Sequence, residues 1–289
     1  MKNLLLTSSL AALTTLTSCG GGAGAASRLQ VKGSDTMLEV AQVWAEKYCD
    51  AHPEVSISVA GGGSGGGIAG LINGTLDIAN CSREMTAEER AKATANGHDP
   101  VEHKVGYDGI AIFVSKDNPL PSISLEQIKQ IYLDGGSITK WSQLGVKMPE
   151  GRDDIVVISR QSNSGTYEYF KEAVLGGKKA NFRNGTLDMN GSKDVVDQVL
   201  KTTNAIGYSG LAYGKGVAVR MLPVTKKEGD QPVAPSIDTV LDGSYPIARP
   251  LFMYTSGQPQ GASKAYLDWI VSDAGQGHLM ELGYPPLRK

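Results

Sequence analysis

The sequence predicts an α/β protein with a mainly parallel core, and three observations predict it. Strand-like and helix-like stretches alternate from residue 28 onward, the pattern of βαβ units. The strand-like stretches are either alternately apolar, as in VSISV at 55–59, or continuously apolar, as in GIAIFV at 109–114. The first helix-like stretch places Leu38, Ala41, Trp44 and Ala45 at helical spacing.

Each element follows from its own local pattern. RLQVKG (28–33) reads as a strand, and Ser34-Asp35-Thr36 leads into the helix MLEVAQVWAEKY. VSISVA is the next strand, followed by a glycine run and a further helix. LDIANCS (76–82) is a third strand, MTAEERAKATANG (85–97) a polar helix and HKVGYDGIAIFVS (103–115) a long apolar strand. The character shifts at KDNPLP (116–121). SLEQIKQIYLDG (124–135) is a helix with a glycine stop, and residues 153–177 read as strand, turn and helix. Residues 192–210 read as a helix and a short strand, and 224–247 as loop. ARPLFMYTS (248–256) is a strand, and 263–284 supply the closing helices.

The first 18 residues read as a targeting segment, with Lys2 before the apolar LLLTSSLAAL. The stretch is too short and too polar to remain as a membrane span. It ends Leu16-Thr17-Ser18-Cys19, which resembles the lipobox of bacterial lipoproteins and implies lipidation of Cys19. GGGAGAAS (20–27) then reads as a flexible tether. The rest is long enough for two modest domains. Net charge is −2, and loss of Lys2 with the leader makes it one unit more negative. That argues against a nucleic-acid partner, which a basic chain would suit. Cys49, near a helix end, and Cys81, beyond a strand, are expected at opposite ends of one helix. The roughly 20 Å this implies exceeds the reach of a disulfide, about 6 Å between Cα atoms, so both are expected as free thiols. Histidines and cysteines are scattered, without metal-ligand spacing.

VAGGGSGGGIAG (59–70) admits four readings. It could be a linker, a ligand-free tight turn, a G-x-S-x-G nucleophile elbow around Ser64, or a cradle in which helix N-terminal amides close on an oxyanion. The patterned flanks weigh against a linker. No Walker lysine follows. A hydrolase would need a histidine, and His278, late enough in the chain, falls in a helical stretch; His52 and His98 fall in polar loops. Three junctions share one design, a strand ending in a Ser/Thr/Gly turn before a helix. They are GSDT at 33–36, GGGSGGG at 61–67 and SNSGT at 162–166, the last with Arg160 four residues before Ser164. Each such helix start carries unpaired N–H groups and partial positive charge. Either they converge on one anion or they are three separate caps.

GSDTMLEVAQVWAEKY, the glycine run with LDIANCSREM, DGIAIFV, SRQSNSGTYEYF and NAIGYSG together resemble the phosphate-binding component of bacterial phosphate ABC transporters. The resemblance covers nearly all of the mature chain. It implies a type II periplasmic-binding-protein fold: two α/β lobes, a cleft between them and two crossing strands. The expected division is a leader at 1–18, a tether at 19–27, a first lobe at 28–112 and 250–289, and a second lobe at 113–249. The ligand contacts it implies are Thr36 and the Met37 amide, with Ser34 in the same loop; Ser64; Ser82; and Arg160, Ser164, Gly165 and Thr166. It implies a non-enzymatic, cofactor-free, monomeric binding protein. Such a protein is exported, held at the membrane by lipid, and delivers inorganic phosphate to a permease and its ATPase. One position departs from some members, which carry aspartate after the third-strand serine to accept the ligand's P–OH proton. This chain has Arg83. Arg83 is then expected to add charge to the anion and Asp108 to take the proton, with a salt bridge from Asp108 to Arg160 as the alternative. The departure keeps sulfate, molybdate or tungstate open as ligands, and Ser64 as a hydrolase nucleophile is the more distant alternative.

Overall fold

The computed structural model describes residues 27–227 and 229–287. The leader, Cys19 and all but the last residue of the tether lie outside the described residues. The first lobe starts with β1 (Ser27–Gly33), α1 (Leu38–Ala51), β2 (Val55–Ala60), α2 (Gly63–Ile72), β3 (Ile78–Cys81), α3 (Ala87–Ala95) and β4 (Pro100–Ser115). The second lobe holds β5 (Ile123–Ser124), α4 (Leu125–Tyr132), β6 (Val156–Arg160), α5 (Gly165–Phe170), β7 (Leu187–Met189), α6 (Ser192–Lys201) and β8 (Ala205–Gly210). It continues with β9 (Val219–Leu222), β10 (Val224–Thr225) and α7 (Ile237–Leu241). The chain returns through β11 (Ala248–Ser256) to α8 (Gly261–Ile270) and α9 (Asp273–Glu281).

The main sheet runs β2-β1-β3-β11-β4-β8-β6-β7, with β9 also paired to β4. Its two wings, β2-β1-β3 and β8-β6-β7, are parallel, as the βαβ alternation requires. Its centre is antiparallel, because β11 returns between β3 and β4 and β4 meets β8 head to tail. The mainly parallel core expected from the alternation is therefore a mixed sheet. A return strand leaves no signature in local periodicity. Residues 224–247, expected as loop, include β10 and α7, the latter capped by Ser236, whose Oγ accepts the Thr239 N–H.

Burial follows the strand period. In β3, Ile78 faces one first-lobe core with Leu29, Val31, Trp44, Tyr266 and Leu279, while Ala79 and Cys81 face another with Ile68, Leu71 and Ala93. The sheet is thus covered by α1, α8 and α9 on one face and by α2 and α3 on the other. Alternation stops in β4 beyond Lys104, where all but one residue is buried. This strand serves both lobes. Residues 100–109 pair with β11, and residues 110–115 pair with β8 and β9. Between Ile110 and Ile247 the buried apolar side chains, apart from Ala212, which joins the first-lobe core, form a separate second-lobe core, in which the Phe170 ring stacks 3.8 Å from that of Tyr208. Among the described residues Cys49 and Cys81 are both free thiols. No helix among the described residues is long and apolar enough to cross a membrane.

Candidate functional site

Three first-lobe turns come together at the sheet centre. Gly33 has φ +144°, and a Cβ there would stand 2.1 Å from the Asn80 carbonyl oxygen. Glycine therefore lets the end of β1 lie directly against β3, and Ser34 N–H donates to that same carbonyl at 2.8 Å. Asp35–Met37 make one 3-10 turn before α1. Tyr284 Oη donates to the Thr36 carbonyl at 2.6 Å and fixes this turn.

The glycine run is itself helical. α2 begins at Gly63, inside the run, after the left-handed Gly62. A Cβ on Gly67 would fall 2.6 Å from the Lys32 carbonyl oxygen, and one on Gly63 would fall 2.4 Å from the Asn163 carbonyl oxygen. So the helix packs against β1 on one side and the second lobe on the other, closer than any side chain allows. Its Ser64 Oγ accepts the Ser82 N–H at 3.0 Å and lies 3.3 Å from Ser82 Oγ.

The second lobe meets these turns with the start of α5. Gly165 sits over the two serines: a Cβ there would be 2.3 Å from Ser64 Oγ and 2.7 Å from Ser82 Oγ. The next residue, Thr166, brings its Oγ1 to 2.8 Å from Thr36 Oγ1, across the lobes. Behind them lies Arg249 of β11, 2% exposed. Its Nη2 donates to Thr166 Oγ1 at 2.7 Å, Thr36 Oγ1 at 3.2 Å and Asp108 Oδ2 at 2.9 Å, and its Nη1 donates to the Gly165 carbonyl at 3.0 Å. Arg249 and Asp108 are directly opposed across β11 and β4.

The result is one buried cluster: Ser34, Thr36, Ser64, Ser82, Thr166, Asp108 and Arg249. Among the described residues Ser34 Oγ has no hydrogen-bond partner, and the Asp108 carboxylate, held by Arg249, also accepts from the Leu211 backbone. Burying polar side chains costs stability unless they are partnered, so this many gathered in one buried place between the lobes make it the candidate binding site. Burial raises the Asp108 carboxyl above its ordinary pKa, and the adjacent Arg249 guanidinium limits the rise. Hydroxyls, backbone amides and a guanidinium can all donate to an anion, while Asp108 can accept one proton. A cleft of about 640 Å³, lined by Gly65, Arg83, Glu168 and Arg249, reaches the cluster from one side. Another of about 820 Å³ reaches Asp35, Ser192 and Tyr213.

Several expected contacts are placed differently. Arg83 does not join the cluster; it makes two hydrogen bonds to the Glu89 carboxylate, at 2.7 and 2.8 Å. Glu89 is held for it by the α3 capping box with Thr86. Arg160 is engaged elsewhere, with Nη1 on Ser192 Oγ at 2.8 Å and Nη2 on Asp35 Oδ2 at 2.9 Å and on the Asn190 carbonyl at 2.8 Å. The alternative salt bridge of Asp108 to Arg160 is replaced by one to Arg249. Ser164 caps α5, its Oγ accepting the N–H groups of Thr166 and Tyr167. The Met37 amide donates to the Ser34 carbonyl at 3.1 Å. Sequence reasoning missed Arg249. The available signal was a lone arginine in the apolar strand ARPLFMYTS, since a charge in a buried strand needs a partner. Ser64 has no histidine beside it. His52, His98, His103 and His278 bond instead to Glu54, Ser256, Thr255 and Glu281.

Two α/β lobes, joined by long crossing strands and meeting at buried anion donors, define a two-lobed solute-binding protein. The model of the PBP superfamily domain matches residues 20–274. The phosphate-binding protein PstS of Pseudomonas aeruginosa is 33% identical over 275 residues, covering 91% of this chain and 84% of that protein. The PstS of Staphylococcus saprophyticus is 30% identical over 283 residues, covering 93% and 85%. Among solved structures, a Clostridium perfringens protein with bound phosphate superposes with a TM-score of 0.79 at 30% identity, covering 90% of this chain and all of that one. A Vibrio cholerae ABC-type phosphate transport receptor gives a TM-score of 0.69 at 27% identity, covering 89% and 99%. The chain belongs to the PBP superfamily and, within it, to the family of the phosphate-binding proteins of ABC transporters.

Proposed function

We propose that the chain captures inorganic phosphate between its lobes and delivers it to an ABC-type permease and its ATPase. The observation that carries this is the meeting of Thr36, Ser64 and Ser82 from the first lobe with Gly165 and Thr166 from the second around Arg249 and Asp108. The phosphate-binding relatives supply the ligand's identity. The hydroxyls and Arg249 donate to the phosphate oxygens. Asp108, buried beside these donors with Oδ2 held by Arg249, accepts the P–OH proton. Sulfate has no such proton at neutral pH and would face the carboxylate unpaired. Discrimination of this kind reaches about 10⁴-fold or more. We assign the lobe boundary to β4 after Gly109 and to the start of β11, where strand partners and cores change. We also assign the membrane anchor to lipidated Cys19.

The test is calorimetric titration of the processed chain, freed of carried-over phosphate, with phosphate, sulfate and molybdate. Tight one-to-one binding of phosphate with sulfate silent is expected. Equal or preferred sulfate binding, or silence with phosphate, would sink the proposal. Asp108→Asn is expected to weaken phosphate and narrow its margin over sulfate. Cys19→Ser is expected to release the chain from the membrane fraction.

A further inference from the structure

One charged contact between the lobes touches none of the clustered hydroxyls. Asp35, in the first-lobe turn before α1, stands 2.9 Å from Arg160 at the end of β6 in the second lobe. The Arg160 side chain is 1% exposed and that of Asp35 12%. Asp35 is tied twice more. Its Oδ1 accepts the Gly62 N–H at 2.9 Å, and its own carbonyl accepts Tyr213 Oη, from the second lobe, at 2.6 Å. Arg160 is braced within its lobe by Asn190, Ser192 and Met189. That bracing points its Nη2 at the opposite carboxylate.

We infer that Asp35 is a positioning residue for ligand retention: it latches the closed lobes through Arg160 and Tyr213, while Arg249 meets the anion. The inference rests on reading the central cluster as the phosphate site. Its physical basis is that the two interlobe bonds exist only when the lobes are together. A ligand enters through the open form, so a contact found only in the closed form slows release and, by holding part of the free protein closed, cannot speed encounter. A charge-assisted bond with little exposure is strong enough to matter, because breaking one changes an equilibrium by about tenfold or more.

Asp35→Asn keeps an oxygen for the Gly62 N–H and removes the charge that Arg160 needs. Tyr213→Phe removes the second tie, together with the longer bond of the same hydroxyl to the Thr36 carbonyl at 3.3 Å. Stopped-flow measurement on the processed chain should show phosphate dissociating about tenfold faster or more from Asp35→Asn, with association equal to or faster than wild type. Tyr213→Phe should show a smaller change in the same rate. Unchanged dissociation in Asp35→Asn, or slower association with unchanged dissociation, would overturn the latch. A second readout needs no ligand. Small-angle scattering of the phosphate-free proteins should give a larger radius of gyration for Asp35→Asn than for the wild type, and equal radii would also overturn it. Failure of the wild type to bind phosphate would refute the phosphate reading alone, with the scattering comparison still deciding the latch.

Discussion

Replacing Gly165 by alanine should separate folding from closure. The new Cβ would stand 2.3 Å from Ser64 Oγ and 3.0 Å from Ser64 Cβ, across the lobes. The Ser64 oxygen cannot simply rotate away, because it holds the Ser82 N–H at 3.0 Å. Moving from 2.3 Å to the 3.4 Å of ordinary contact displaces the second lobe by about 1.1 Å. The Thr36–Thr166 contact starts at 2.8 Å and the Arg249–Gly165 bond at 3.0 Å. Both would lengthen to about 4 Å, and the 2.7 Å Arg249–Thr166 bond to about 3.8 Å, beyond hydrogen bonding. Losing one neutral and two charge-assisted bonds costs about 5 kcal/mol, so the phosphate Kd should rise on the order of 1,000-fold or more. The fold itself should not suffer. Gly165 is the first residue of α5 with ordinary φ, and alanine favours a helix over glycine by up to about 1 kcal/mol. Titration calorimetry and thermal unfolding of the phosphate-free protein measure the two effects. A Kd within about threefold of wild type, or a large fall in phosphate-free stability, would refute the reasoning.

Three other substitutions test neighbouring arguments. Arg249→Met removes the partner of fully buried Asp108, so urea unfolding should show a loss of about 3–5 kcal/mol, part of it recovered in the double variant with Asp108→Asn. Gly66→Ala, in α2 with no atom within 4 Å of the new Cβ, should raise stability by about 0.5–1 kcal/mol and leave phosphate affinity unchanged. Burial raises the Glu89 carboxyl, but hydrogen bonds from Arg83 and the Thr86 N–H outweigh it and set the pKa below the ordinary 4.5. A lowered folded value gives stability that is present above the unfolded pKa and lost as pH falls through the folded one. The stability gap between wild type and Glu89→Gln should therefore be full at neutral pH and close below pH 4.5, the ordinary value; a gap that persists in acid would contradict the pairing with Arg83.

Much of this molecule is local and was legible in order along the chain. Period-2 runs became β1 and β2, helical spacing became α1, and the strand–turn–helix junctions at 33–36, 61–67 and 162–166 did converge on one place. Each depends on neighbours a few residues apart, which sequence displays directly. The identity of the arginine that joins the clustered hydroxyls was not legible in this way. The two arginines beside suggestive motifs, Arg83 and Arg160, are held by Glu89 and Asp35. Arg249 reaches the cluster because β11 returns antiparallel to β4 in a register that opposes it to Asp108, 141 residues away. A slip of one residue would turn it to the opposite face of the sheet. The sequence alone determined where donors occur. The folded sheet decided which of them meet, because register and strand return are set by packing between distant segments and leave no local trace.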